Sequence, residues 1–210
     1  MQLVNEWFYY NKVISKKICN NIKKLGNGNF ESGVIDLHQG ITIEERKTGR
    51  KIDYGLDEKS RVSEVSWTNE QWVYDLIWPY MLGSNKNAGW NFDIKAAEAM
   101  QVTKYSSGGF YNWHRDGFSD CLSAYDTPDN ELSHGNVRKL SMTVLLNDNY
   151  EGGEFQFANY KGGKYEPTSP KVSKAGSVIV FPSFMEHRVS PVTKGIRYSL
   201  VVWFLGPPFK

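Results

Sequence analysis

The run Tyr105–Asp116, Tyr-Ser-Ser-Gly-Gly-Phe-Tyr-Asn-Trp-His-Arg-Asp, ends in a His-x-Asp pair. Side chains alternate between faces in extended backbone, so a strand over Phe110–Asp116 turns His114 and Asp116 the same way. An imidazole and a carboxylate on one face make two arms of a metal site, and two ligands alone hold an ion weakly. The sequence has 4 histidines from which a third could come: His38, His114, His134 and His187. His38 precedes a polar stretch with no ligand-like neighbour and reads as a surface residue. His134 falls in a turn-rich loop. His187 follows Pro182-Ser-Phe-Met-Glu and so emerges from a turn into a short strand. It is the natural third arm, although a lone histidine is more often a hydrogen-bonded core or surface ring.

Two histidines and one carboxylate, with the opposite positions open, form the ligand set of non-haem iron oxygenases. Arg197 adds a second feature, because it stands inside an otherwise apolar strand, Tyr198–Leu205. A buried guanidinium is costly without an anion, which is either a neighbouring Asp or Glu or the carboxylate of a bound molecule. The period of two puts Arg197, Ser199, Val201 and Trp203 on one face of that strand. On the strand Leu140–Leu146 the same period sets Ser141, Thr143 and Leu145 opposite an apolar set, so both polar faces could line one space.

The elements that must position these residues change character along the chain. Trp7–Ile14 reads as a strand or extended lead-in. Ile14, Ile18, Ile22 and Leu25 recur at helical spacing, with Ser15 as N-cap and Gly26 as the stop. Gly33–Leu37 suits a short strand, and Gly40–Ser60 is a polar loop or mobile hairpin. Thr68-Asn-Glu-Gln71 resembles a capping box before a second helix carrying Trp72, Leu76, Ile77 and Tyr80, which Pro79 should end or kink. From Trp90 onward short strands and turns take over: Trp90–Ile94, Ala99–Tyr105, Leu140–Leu146, Glu154–Phe157, Ser177–Phe181, Glu186–Val189 and Arg197–Leu205. Gly117–Asn136, Asp148–Gly153 and Tyr160–Lys174 read as connections. This order predicts an α+β, mainly β protein, an antiparallel sandwich or jelly roll with the N-terminal helices packed on the major sheet.

At 210 residues the chain suits one domain with a sizeable core. A net charge of +2 and no basic stripe argue against a nucleic-acid partner. The aromatic fraction of 14% is high, which suits either a packed core or a cleft that grips a peptide. Cys19 and Cys121 are far apart and imply no disulfide framework, so a reducing, cytoplasmic setting is expected. No apolar run approaches membrane-spanning length, and the N-terminus has no signal-peptide pattern.

Taken together, several ordered motifs resemble the prolyl 4-hydroxylase branch of the Fe(II)/2-oxoglutarate oxygenases. They are Tyr105-x-x-Gly-Gly-x-Tyr111-x-x-His114-x-Asp116, Leu145-Leu-Asn-Asp, Glu151-Gly-Gly-Glu154, Gly176-x-x-x-x-Phe181-Pro, and His187-Arg-Val-x-Pro-Val-x-x-Gly-x-Arg197 followed by Trp203. The resemblance implies a double-stranded β-helix over residues 90–210, supported by residues 1–89, in a single oxygenase domain. It implies Fe(II) on His114, Asp116 and His187, with 2-oxoglutarate and O2 as cosubstrates and ascorbate as a supporting reductant. Arg197 would pair with the distal carboxylate of 2-oxoglutarate, with Tyr105 near that cosubstrate and Trp203 near the iron. Some relatives place a tyrosine against that carboxylate where this chain has Leu145, which leaves Ser199 and Thr143 as candidate helpers. Arg61-x-Ser63, ahead of Trp67, resembles a segment that approaches substrate, with Gly49–Ser60 as a lid or a plain surface loop. Trp203 joins this candidate substrate set. The implied reaction is hydroxylation of a prolyl residue in a protein or peptide, yielding succinate and CO2. Alternatives are a free amino acid or small metabolite, a nucleic-acid base, or an inactive cupin-like module.

Overall fold

The computed structural model describes residues 5–36, 54–117, 121–161 and 164–209. In chain order its elements are β1 (Phe8–Tyr10), α1 (Lys16–Leu25), β2 (Glu31–Ser32), β3 (Ile35–Asp36), β4 (Tyr54–Gly55), β5 (Arg61–Val62), β6 (Glu64–Thr68) and α2 (Gln71–Asn87). They continue as β7 (Ala96–Ala97), β8 (Met100–Tyr105), β9 (Phe110–His114), β10 (Val137–Leu145), β11 (Tyr150–Gly152), β12 (Phe155–Lys161) and β13 (Lys164–Thr168). The last four are β14 (Val178–Pro182), β15 (His187–Val189), β16 (Val192–Gly195) and β17 (Arg197–Gly206).

Two antiparallel sheets pack face to face as a jelly roll, the double-stranded β-helix anticipated from the sequence. The larger runs β1-β14-β10-β17-β8-β6-β2, with β7 also paired to β17, and the smaller runs β13-β12-β15-β9-β5. Central strands are fixed in register by their alternation: Ser141 pairs with Trp203, Thr143 with Val201 and Leu145 with Ser199 across β10 and β17. On the other side of β17, Arg197 pairs with Tyr105 and Ser199 with Thr103 of β8. A one-residue slip would exchange the two faces entirely, so the apolar set locks the polar one in place.

That apolar set, Leu140, Met142, Val144, Leu200, Val202 and Phe204 with Met100, Val102, Val178 and Val180, packs under α1 and α2 through Ile22, Val73, Ile77 and Met81. Between the sheets a smaller core forms around Phe155, Phe157, Ile179 and Phe181. The N-terminal segment does more than buttress. It contributes β6 and β2 to the larger sheet and β5 to the smaller.

α1 begins as its sequence predicts, with Ser15 Oγ accepting from Ile18 N at 3.3 Å and Gly26 closing the end. Four expectations need correction. Thr68 is no helix cap: it pairs with Met100 at the end of β6, and α2 starts from Glu70 without a side-chain cap bond. Pro79 does not end α2, because buried Val73, Ile77 and Met81 keep one face anchored on both sides of it. Trp90–Ile94 is not a strand. Asn91 takes a left-handed φ of 50°, and the Asn85 side chain binds both Phe92 N at 2.9 Å and Phe92 O at 2.8 Å. The supposed connections 148–153 and 160–174 contain β11 and β13, paired with β16 and β12. His38 and residues 49–53 of the 49–60 segment lie outside the described residues, and of the rest Tyr54–Gly55 forms β4, paired with β3.

Candidate metal centre and active-site cavity

His187 pairs directly with His114 across β15 and β9, so the smaller sheet itself brings two imidazoles together. β9 ends at His114, and the chain bends to carry Asp116 in beside them, its N–H donating to Ser183 O at 3.0 Å. His114 Nε2 lies 3.8 Å from Asp116 Oδ1, and His187 Nε2 lies 3.6 Å from Asp116 Oδ2. All three side chains are buried, and one donor atom from each falls within 4.8 Å of the others. Donors sharing one ion through bonds of roughly 2 Å have this kind of spacing.

The ring nitrogens facing away from the cluster set the tautomers. His114 Nδ1 is 2.7 Å from Asn112 O and His187 Nδ1 is 2.9 Å from Met185 O. A carbonyl only accepts, so each Nδ1 carries a proton and each Nε2 is the atom turned inward to the cluster. Burial, reinforced by the neighbouring His187 ring, lowers the His114 pKa to about 3, which keeps the lone pair of its Nε2 free. For Asp116 burial pushes the carboxyl up, but the His187 and His114 rings, Arg138 and the Ser141 hydroxyl together hold it below its ordinary value. The cluster therefore turns two imidazole Nε2 atoms and one carboxylate toward a common point, the donor set of a divalent ion.

Tyr111 stacks on His114, centroids 3.5 Å apart and planes 13° from parallel, and the Arg61 guanidinium lies 4.6 Å from the Tyr111 ring centroid. The register of Arg61 with Tyr111 between β5 and β9 produces this stack. Burial pushes the Tyr111 hydroxyl up to about 12. Arg61 also donates from Nε to Ser63 Oγ at 2.6 Å and from Nη2 to Gln101 Oε1 at 3.0 Å.

A cavity of about 600 Å³ opens from the cluster between the sheets, lined among others by Tyr105, Thr143, Arg197, Ser199, Trp203 and Trp67. Arg197 is 1% exposed. Its Nη1 donates to Ser199 Oγ at 3.0 Å, while Nε and Nη2 have no hydrogen-bond partner. A guanidinium so buried, with no carboxylate in salt-bridge reach among the described residues, fits the carboxylate of a bound molecule. Gly153 makes room for it: with φ at +63°, a Cβ there would stand 3.0 Å from Arg197 Cδ. On the departure at Leu145, the structure gives Arg197 the Ser199 hydroxyl, with Thr143 nearby on the cavity wall.

Two features escaped the sequence reading. Arg138 grips Glu98 through Nε at 2.7 Å and Nη2 at 2.5 Å, and lies 4.0 Å from the Trp203 ring, fixing the indole at the cavity wall. Nothing in the spacing of residues 98 and 138 announces that pair. Ser183 sits beneath Asp116, and only its place in the turn before His187 hinted at it. Arg115, between His114 and Asp116 in the chain, also lines the cavity. His134 does not join the cluster; it lies 3.8 Å from Asp126 at the surface.

A jelly roll whose inner face carries a buried two-histidine, one-carboxylate cluster beside an unpaired arginine defines a mononuclear metal oxygenase class. The chain belongs to the 2OG-Fe(II) oxygenase superfamily, whose family model matches residues 100–205. A PKHD-type hydroxylase of Synechococcus sp. (strain CC9902) is 32% identical over 112 residues, 52% of this chain and 42% of the relative. The chain thus spans less than half the length of that relative. A protein of Acanthamoeba polyphaga mimivirus with a provisional prolyl 4-hydroxylase name is 24% identical over 211 aligned positions, 95% of this chain and 74% of the relative. Among solved structures, the viral collagen prolyl hydroxylase of Paramecium Bursaria Chlorella virus-1, a 2-oxoglutarate complex, superposes with a TM-score of 0.62 at 20% identity, over 96% of this chain and 97% of that one. A Trichoplax adhaerens prolyl hydroxylase, bound to a hypoxia inducible factor peptide, gives 0.62 at 15% identity, covering 95% and 83%. These likenesses establish the fold. The family's Fe(II) and 2-oxoglutarate fit the residues present: the donor set suits the ion and the unpartnered Arg197 N–H groups suit a carboxylate. No helix among the described residues is long and apolar enough to cross a membrane.

Proposed function

We propose that the protein is an Fe(II)- and 2-oxoglutarate-dependent dioxygenase that hydroxylates a prolyl residue in a protein or peptide. The observation that carries this reading is the pairing, in one cavity, of the His114–Asp116–His187 cluster with the unpaired Arg197 guanidinium. When bound, Fe(II), 2-oxoglutarate and O2 supply the oxidising chemistry, which releases succinate and CO2 and places one oxygen atom on a substrate carbon.

The chain's own residues bind and orient. His114, Asp116 and His187 would hold the ion. Arg197, steadied by Ser199, takes the far carboxylate of 2-oxoglutarate, with Tyr105 and Thr143 on the adjoining walls. Trp203 and Trp67, whose ring centroids are 6.1 Å apart, form an aromatic wall suited to a pyrrolidine ring. Arg61, held by Ser63 and Gln101, carries polar N–H groups on the same side as Tyr111 and His114.

A prolyl substrate is supported by the names of the similar proteins and by this aromatic wall. Mass spectrometry of proline-containing peptides incubated with the Fe(II)-loaded protein and 2-oxoglutarate tests it. Gain of one oxygen on a prolyl residue is the expected outcome. Oxidation of free proline or another small molecule, with peptides untouched, would move the assignment to a metabolite hydroxylase.

A further inference from the structure

Two hydroxyls lie behind Asp116, on the side away from the open cavity. Ser141 Oγ is 2.6 Å from Asp116 Oδ2 and 2.9 Å from Ser183 Oγ. Both serines are 0% exposed. An ionised carboxylate only accepts, so the Ser141 proton goes to Asp116. A hydroxyl has one proton, so Ser141 must accept from Ser183. The direction is then fixed: Ser183 donates to Ser141, and Ser141 donates to Asp116.

The main chain holds both ends of this relay. Ser183 N donates to Lys139 O at 3.0 Å, and Ser183 O accepts from Asp116 N at 3.0 Å. Ser141 sits on β10, whose register with β14 places it opposite Phe181. Ser183 belongs to the turn between β14 and β15, the turn that delivers His187. The relay thus joins the carboxylate arm to the segment that positions an imidazole arm. Asp116 Oδ2 is tied back by Ser141, while Oδ1 receives no hydrogen bond from the described residues.

We infer that Ser141 and Ser183 are positioning residues of the metal site, a two-hydroxyl relay that orients the Asp116 carboxylate toward the ion. This rests on the reading of His114, Asp116 and His187 as metal ligands. Hydrogen bonds to a ligating carboxylate fix its orientation, and losing such a partner typically weakens metal binding by about 10- to 100-fold. A purely structural serine pair would instead stabilise the fold with or without metal.

The test is titration of Co(II) alone into the full chain, reading affinity and ligand-field absorption, beside thermal unfolding of the metal-free protein. Ser141→Ala should weaken Co(II) binding by roughly 10- to 100-fold and shift the absorption bands. Ser183→Ala should do so to a smaller degree, and the double variant should be no weaker than Ser141→Ala, because Ser183 acts through Ser141. Ser141→Thr, which keeps a hydroxyl, should recover most of the affinity. Should Ser141→Ala not fold, Ser183→Ala and Ser141→Thr still decide the matter. Unchanged affinity and bands in Ser183→Ala, with only metal-free stability reduced, would overturn the relay while leaving the metal site standing. Absence of Co(II) binding by the unaltered protein would remove both.

Discussion

The two faces of β10 and β17 carry residues of opposite character at nearly the same burial. One face holds Leu140, Met142, Val144, Leu200, Val202 and Phe204, all 0% exposed, against the helices. The other holds Ser141, Thr143, Arg197 and Ser199, none more than 3% exposed. Equal burial has opposite physical meaning on the two sides. Apolar burial contributes about 25 cal/mol per Å² to stability, whereas burying polar groups stabilises only what they are bonded to. The helix-side face therefore holds the fold together, and the cavity-side face is organised around ligands that complete it.

Substitutions that separate the two faces sharpen this contrast. Phe204→Ala should cost about 3–5 kcal/mol of folding stability by leaving a cavity under the helices. Denaturant unfolding measures it, and the affinity of the surviving folded protein for 2-oxoglutarate should stay within about twofold, since ΔΔG values at separated sites act independently. Arg197→Met should do the reverse. Its loss of a charge-assisted anchor should weaken 2-oxoglutarate binding by about 2–5 kcal/mol, read by calorimetry with Mn(II) in place of iron. The metal-free protein should be as stable as the unaltered chain or more so, because an uncompensated buried charge is removed.

An effect that is smaller over any single pH unit comes from protonation. His114 has its folded pKa lowered from 6.5 to about 3, so between those values the unfolded chain binds the proton and the folded one does not. Stability of the metal-free protein should therefore fall as pH drops below 6.5, with a slope of up to about 1.4 kcal/mol per pH unit from this group. His114→Asn should flatten that part of the stability–pH curve. The smallest change concerns the helix side, where Ser15→Ala removes the cap of α1 and should cost about 0.5–2 kcal/mol without touching the cavity.

Much of the site was legible because period-two alternation is a strong local signal. Thr143, Arg197, Ser199 and Trp203, which line the cavity, were placed on shared strand faces by counting alone, and the helix cap at Ser15 by its chemistry. What brings His187 to His114 is cross-strand register, which no local window contains; only the ordered set of motifs pointed there. The Arg138–Glu98 pair and the Ser183 donor depend on how turns and edge strands meet, and left no pattern in the chain. The misread segments share a cause. Thr68 was claimed by a strand pairing, and Trp90–Ile94 by the Asn85 side chain, so long-range contacts overrode reasonable local signals. Pro79 shows the same override in a helix.

The central claim is tested most directly by succinate formation from 2-oxoglutarate, measured for the Fe(II)-loaded full chain with a proline-containing peptide, beside Asp116→Ala and Arg197→Met. The account predicts turnover by the unaltered protein that falls to background in Asp116→Ala, and that in Arg197→Met returns only at much higher 2-oxoglutarate. Equal succinate formation in all three proteins, or none in the unaltered one despite bound iron, would contradict it.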